Sequence, residues 1–208
     1  MSRLAAVLAA GAVLSGCAAS GHLSAEQPAN VDWRRVATQA DRSRLRNWRQ
    51  AWVAAIATVR QRGGNAALGS EPRLFDPDRA LAGAALAAGS YRCRRWKLAS
   101  HDPALKPVAM GGWAPCTVAP EGSAVRFAAQ GLQRAEGYLF DDTDARRVFL
   151  GTLALGDETR ALRYGRDARR DMAGVLERVD ERRWRLVLPY PGFESMLDVI
   201  EIVPATGG

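Results

Sequence analysis

Few side chains in this sequence are of the types that carry hydrolytic or metal chemistry. The only histidines are His22 and His101, and Ser195 lies in "FESML" rather than in the Gly-x-Ser-x-Gly elbow of serine hydrolases. His101 lies in "ASHDPAL", where an Asp before a Pro is typical of a turn. Because His22 lies in a segment that reads as a flexible tether, a Ser-His-Asp triad or a histidine metal site would depend on His101 alone. The sequence therefore predicts no catalytic residue and no enzyme.

The acidic run at Asp141, Asp142 and Asp144 has the composition of a calcium site but not its spacing. The twelve-residue calcium loop needs a glycine at position six and an acidic residue at position twelve. Counted from Asp142, these positions hold Arg147 and Leu153. The run predicts a solvated hairpin tip, and the chain as a whole predicts neither a metal site nor a cofactor.

The segment "RYGRDARRD" is the most unusual polar stretch. Arginine guanidinium groups pair well with carboxylates and phosphates. We therefore interpret Tyr164, Arg166, Arg169 and Arg170 as candidates for contact with an anion or a partner protein. The alternative is an exposed loop with internal ion pairs, which typically contribute about 0–1 kcal/mol.

An apolar run precedes the first cysteine. Arg3 is followed by Leu4 to Leu14, all Leu, Ala, Val or Gly, and Cys17 comes directly after small residues. The run is too short to cross a bilayer, which requires about 20 such residues. A basic start, a short apolar core and a small-residue end are typical of a secretory signal peptide.

The string Leu-Ser-Gly-Cys17 resembles the lipobox of bacterial lipoproteins. That resemblance implies that the thiol carries diacylglycerol, that the chain is cut before Cys17, and that the new amine is acylated. Ala18 at the next position implies an outer-membrane lipoprotein facing the periplasm. We therefore expect a signal peptide over residues 1–16, a flexible tether over residues 17–30, and membrane contact through the lipid. The alternative is an ordinary signal peptide in which Cys17 is incidental.

Two further cysteines, Cys93 and Cys116, are 23 residues apart. An even remainder in an oxidising compartment predicts a disulfide, and closing a loop of this size is worth roughly 3 kcal/mol. Two buried thiols are the alternative.

The chain carries a formal charge of +7, which suits a solvated arginine-rich surface or anionic lipid head groups. Because export is expected, nucleic acid is not an expected partner.

The remaining pattern predicts one helix followed by many strands. Thr38 can cap a helix that Gly63 ends, with one apolar face carrying Leu45, Trp48, Trp52, Ile56 and Val59. From Ser90 onward, short alternating or apolar runs are separated by turn residues, which favours an antiparallel sheet. We predict a mainly β (α+β) fold over residues 31–204. In this fold an amphipathic helix packs on, or plugs, a small barrel of about eight strands. The run "MLDVIEIV" is apolar on both faces, so one face is expected to meet the helix.

Long stretches of the chain, among them "DWRRVATQADRSRLRNWRQAWVAA", "YRCRRWKL" and "RWRLVLPYPGFESMLDVIEIVP", resemble an uncharacterised proteobacterial family, domain-of-unknown-function family 4893. The resemblance implies one domain and brings no activity. The strand pattern also resembles lipocalin-like and protease-inhibitor barrels of the bacterial envelope, in architecture only.

These observations predict a non-catalytic binding or scaffolding module whose partner is a small apolar ligand or an envelope protein. The alternatives are an inhibitor of a secreted hydrolase and a carboxylate-based hydrolase. An open apolar cup containing Trp96 or Trp184 would favour ligand binding, and a filled barrel would favour a structural or inhibitory role. Two buried carboxylates facing one cleft would favour catalysis.

Overall fold

The computed structural model of the chain describes residues 31–205, so Cys17 and the predicted signal peptide and tether lie outside the described residues. The described part begins with short helices and continues as strands. The helices are α1 Trp33–Val36, α2 Gln39–Arg46, α3 Trp48–Gln61, α4 Asn65–Gly69 and α5 Pro72–Phe75. The strands are β1 Gly89–Ser100, β2 Val108–Met110, β3 Ala114–Glu121, β4 Ala124–Ala129, β5 Gln133–Thr143, β6 Arg146–Leu155, β7 Asp171–Asp180, β8 Arg183–Pro189 and β9 Ser195–Pro204.

Eight of these strands form a closed barrel. Strands β1, β3, β4, β5, β6, β7, β8 and β9 follow one another around it, and β9 pairs with β1 to close the ring. All the pairings are antiparallel, and β2 is an additional short strand on β1. The mainly β prediction, with a barrel of about eight strands, is confirmed. Closure leaves the barrel strands without long exposed edges.

The barrel interior is filled by side chains. Because neighbouring residues of a strand face opposite sides, every second side chain of each barrel strand points inward. Phe127 and Phe149 meet edge to face with ring centroids 6.0 Å apart, and Tyr91 meets Trp184 in the same way at 6.4 Å. The other large buried side chains of this interior are Val118, Leu139, Leu153, Met172, Leu176, Leu186, Leu188, Ile200 and Ile202.

The helices cover the outer face of one side of the barrel. The predicted helix is two consecutive helices, α2 capped by Thr38 and α3, which meet at Asn47. Helix α3 packs on β1, β8 and β9 with the fully buried Trp52 and Val59, so it lies outside the barrel and does not plug it. Strand β9 meets this layer with Leu197 and Val199 and faces inward with Ile200 and Ile202. The two apolar faces of "MLDVIEIV" are thereby explained.

A buried arginine joins the helical layer to the barrel. The Arg185 side chain on β8 is fully buried and donates to Oε2 of Glu177 on β7 from Nε at 2.9 Å and Nη2 at 2.6 Å. Its remaining N–H groups donate to backbone carbonyls of the segment around α5, and its guanidinium lies 4.3 Å from the Trp52 ring centroid. The accepting carbonyls include those of Leu74, Asp76 and Arg79, at 2.7–2.9 Å. Burial lowers the pKa of Arg185, and the charge of Glu177 opposes that shift.

A second polar cluster holds the start of α5. Glu71 accepts from Arg94 Nη2 at 2.7 Å and from Arg183 Nη2 at 2.6 Å, so one carboxylate bridges β1 and β8. Both arginines also pair with Glu201 on β9, which is almost fully buried and accepts from Trp96 Nε1 at 3.2 Å. Charge pairs under the helices thus replace part of an apolar interface.

We predict that Arg185→Met lowers the free energy of unfolding by about 3–5 kcal/mol, because it leaves a buried carboxylate and several carbonyls without their donor. Chemical denaturation measures this change. Arg49→Met is the matched control, since Arg49 also binds the α5 segment, through Pro77 O and Asp78, but at an exposed site. Its expected cost is about 0–1 kcal/mol. Equal losses in the two variants would contradict the assigned role of Arg185.

We also predict that Gly151→Ala lowers the thermal midpoint, because β5 and β6 approach closely where Gly137 faces Gly151. A methyl group on Gly151 would overlap the Glu136 carbonyl oxygen and the Phe149 ring. Overpacking of this kind lowers the free energy of unfolding by about 1–3 kcal/mol. Gly69→Ala in α4 meets open space and should leave the midpoint unchanged or raise it slightly. Differential scanning calorimetry distinguishes the two, and a tolerated Gly151→Ala would contradict the close approach.

Candidate binding site

The structure places the four candidate contact residues of the "RYGRDARRD" segment in different surroundings. Tyr164 turns toward helix α2: its hydroxyl donates to Asp41 Oδ2 at 2.6 Å and accepts from Thr38 N at 3.0 Å. Burial, together with the hydrogen bond to Asp41, raises the pKa of Tyr164 above its ordinary range. Its observed role is therefore to tie the loop between β6 and β7 to the start of α2.

The three candidate arginines of that segment share only part of a surface. Arg170 pairs with Glu158, and Arg169 places its guanidinium 5.5 Å from the centroid of the Phe193 ring. Both line a crevice of about 10 Å³, which has room for about one water molecule at most. Arg166 is exposed, and its backbone N–H donates to Arg163 O. Contact of these residues with an anion or a partner stays a prediction.

The predicted disulfide is present. Cys93 on β1 and Cys116 on β3 are bonded, with their Cα atoms 5.9 Å apart, and both are buried. In the β1–β3 ladder Cys93 lies opposite Ala114, and Cys116 lies opposite Tyr91. The bond therefore crosses the ladder diagonally, and Cys93 is the last residue of β1 that pairs with β3.

Directly beyond the disulfide, the barrel wall is open. Strand β1 pairs with β3 over residues 89–93 and with β2 over residues 96–98, on the same edge. The turn that joins β4 to β5 does not fill the space beside β2. The opening has a volume of about 450 Å³ and is lined on the β1–β3 side by Cys93, Arg94, Arg95, Lys97, Ala109, Met110, Gly111, Gly112 and Ala114. The opposite side and the floor consist of Ala129, Gln130, Gly131, Leu132, Gln133 and Ile200.

Two apolar side chains stand at the rim of this opening. Leu132 is 80% exposed and Met110 is 54% exposed, whereas most large apolar side chains of the barrel are buried. The floor is apolar as well, because Cys93, Ala129 and Ile200 face inward beneath it. An apolar floor with exposed apolar rims is typical of a surface that binds another molecule.

The polar wall of the opening carries balanced charge. Asp198 is fully buried and accepts from Ser195 Oγ at 2.5 Å, from Arg95 Nη1 at 3.0 Å and from Lys97 Nζ at 3.4 Å. Lys97 also pairs with Glu194 at 3.2 Å. Burial acts to raise the pKa of Glu194, but the hydrogen bond and positive charge of Lys97 outweigh it and hold that pKa below its ordinary value. Two cations thus face two carboxylates.

Two buried polar atoms in the wall of the opening have no hydrogen-bond partner among residues 31–205. They are Nη2 of Arg95, a donor, and Oε1 of Gln133, an acceptor. A buried polar group left without a partner costs about 1–3 kcal/mol. Both atoms are closed to solvent, so they offer no hydrogen bond to a molecule in the opening.

Sequence reasoning missed Arg95, Lys97 and Gln133. The signal was present in "YRCRRWKLA", because residues at steps of two from the buried Cys93 share its face. That alternation sends Arg95 and Lys97 toward the barrel interior, where charged side chains need partners. The opening itself has no local sequence signal, since it depends on how β2 and the β4–β5 turn are placed.

Neither Trp96 nor Trp184 lines an open apolar cup. Trp96 lies outside the barrel, edge to face with Phe75 at 5.2 Å, and Trp184 packs against Tyr91 inside the filled barrel. The buried Glu177 and Glu201 lie beneath the helices and are paired with arginines.

The acidic hairpin binds other parts of the chain. Asp142 accepts from Trp33 Nε1 at 3.0 Å, and the Asp144 carbonyl accepts from Gly83 N at 3.0 Å. Strand β5 extends to Thr143, so the hairpin tip is shorter than the predicted loop. Across the described part of the chain, no three His, Cys, Asp or Glu side chains are grouped so that they could hold a metal ion.

Comparison with known proteins gives a family but no function. No curated protein and no solved structure matches the chain. The profile of one family, described as a domain of unknown function, matches residues 33–202, which include the helical layer and all the barrel strands up to Ile202. The chain therefore belongs to the DUF4893 family.

Proposed function

We propose that this chain is a non-catalytic binding module of the bacterial cell envelope, anchored by lipid on Cys17, and that it binds a protein partner at the opening in its barrel wall. The observation that carries the proposal is the opening itself, which presents exposed apolar rims above an apolar floor. The filled interior supports a protein partner over a small ligand held on the barrel axis.

The position of the first described residues indicates which end of the barrel the predicted tether would join. Trp33 in α1 donates to Asp142, next to the end of β5, whereas the opening lies beside Gln133 at the start of β5. At about 3.4 Å per residue these two ends of β5 are roughly 30 Å apart along the strand. A tether leading from Cys17 would therefore join the barrel at the end opposite the opening, which leaves the opening clear of the attachment point. Among the described helices, none is long and apolar enough to span a bilayer.

The anchor is tested by metabolic labelling with palmitate. We expect the wild-type chain, expressed in a Gram-negative host, to incorporate label and Cys17→Ser to incorporate none, because the thiol is the attachment atom. Ser20→Ala lies in the predicted tether and should retain the label. Equal labelling of the wild type and Cys17→Ser would refute the lipid anchor.

The binding surface is tested by photo-crosslinking in intact cells. Leu132→p-benzoylphenylalanine places the reactive group on the rim of the opening, and we expect a discrete adduct of higher mass on irradiation. Leu162→p-benzoylphenylalanine is the matched control, because Leu162 is 42% exposed and lies in the loop between β6 and β7, away from the opening. Mass spectrometry of the adduct identifies the partner, and a secreted hydrolase would specify the inhibitory alternative. Absence of an adduct at residue 132, or equal adducts at both positions, would contradict the proposed site.

A further inference from the structure

We propose that the partner enters this opening as an extended segment and pairs with the free edge of β2 as an added strand. The inference rests on the proposed function, since it specifies how the partner is recognised at the same site. It identifies the partner by chemistry, as an unfolded or extended stretch of protein rather than a folded surface or a lipid.

The hydrogen bonds between β1 and β2 follow the alternating antiparallel pattern. Ala99 N donates to Pro107 O at 2.8 Å, and Gly111 N donates to Arg95 O at 2.8 Å. In an antiparallel ladder, bonded pairs occur at every second residue. Ala109, midway between Pro107 and Gly111 and opposite Lys97, is therefore the residue of β2 whose backbone groups face β1.

The backbone groups of Val108 and Met110 consequently face the other way. Their N–H and C=O groups point along the sheet toward the opening, and within residues 31–205 no hydrogen bond to them is found. An exposed strand edge of this kind is a template for pairing with another strand. Peptides bind to many proteins by adding to such an edge.

The walls of the opening fit a peptide backbone better than an anionic amphiphile. A carboxylate head group offers only acceptors, which would serve the N–H groups at the free edge of β2 but not its C=O groups. A peptide group offers a C=O and an N–H together. The charges of Arg95 and Lys97 are already matched by Asp198 and Glu194, so the site has no surplus positive charge to select an anion.

The alternation of an added strand defines the kind of sequence that fits. Ala109 lies opposite Lys97 and shares its inward face, so residues of the added strand on that face point toward Cys93, Ala129 and Ile200. Residues on the other face contact Met110, which lies opposite Trp96 on the outer side. The segment should therefore carry apolar residues at alternate, inward positions.

The test uses a phage-displayed library of random twelve-residue peptides, selected against the full chain in detergent. The selected peptides are synthesised, and their affinities are measured by fluorescence anisotropy. Met110→Pro removes the N–H that faces the opening and leaves the Ala109 N–H to pair with β1. We expect it to weaken peptide binding by about tenfold or more. Met110→Ala removes the side chain but keeps the N–H, and its expected loss is below about threefold.

N-methylation of the peptide gives a second reading that does not depend on any variant folding. If the peptide pairs as a strand, methyl groups on alternate backbone nitrogens abolish binding, and methyl groups on the intervening nitrogens leave it within about threefold. Circular dichroism and the thermal midpoint check that Met110→Pro retains the fold.

Several results would overturn strand addition. These are failure to select any peptide, peptides that bind Met110→Pro as well as the wild type, and loss of binding at every N-methylated position. Self-association of the full chain that Met110→Pro abolishes would assign the edge to a second copy instead. If Leu132 crosslinks a partner while one of these results is obtained, the mode of binding is wrong and the proposed function stands. If Leu132 gives no adduct, the proposed function fails first.

Discussion

The buried Arg185–Glu177 pair is the interaction on which the arrangement of this molecule depends. A barrel strand that faces solvent normally carries polar residues outward, yet β7, β8 and β9 are buried on both faces. Among the described helices that cover them, α3 alone is longer than eight residues, and the segment from α4 to Gly89 contains little regular structure of its own. Arg185 donates to three carbonyls of that segment, those of Leu74, Asp76 and Arg79. These hydrogen bonds hold an irregular chain against the sheet. Isolated carbonyls buried there would otherwise oppose the packing.

The sequence was sufficient to predict the strands and the main helix because their apolar periodicities are strong. The cap at Thr38, the two-faced burial of "MLDVIEIV" and the pairing of Cys93 with Cys116 all follow from local patterns or from counting. The break between α2 and α3 at Asn47 was not predicted, because the apolar steps continue across it. Whether the helix packs on the barrel or plugs it was also left open. The short strand β2 was missed because its three residues carry no alternation signal.

The candidate site illustrates what local patterns do not contain. The segment "RYGRDARRD" has the composition of an anion site because its residues are charged and adjacent, but Tyr164 binds the start of α2 and the candidate arginines have separate surroundings. The opening in the barrel wall is formed instead by residues far apart in the chain, among them Arg95, Met110 and Gln133. Such a site arises from the order in which strands pair, and a single sequence gives no direct measure of that order.

The disulfide has a further consequence, because it lies where β1 exchanges one neighbour for another. A forked strand pair held only by backbone hydrogen bonds frays from its tip, since each terminal bond opens with little loss elsewhere. The covalent bond between Cys93 and Cys116 holds β3 against β1 at the point where the two strands separate. The width of the opening beside that point is therefore restrained by a bond as well as by hydrogen bonds. Conditions that keep thiols reduced would therefore yield a barrel of the same topology whose side entrance has no fixed dimensions.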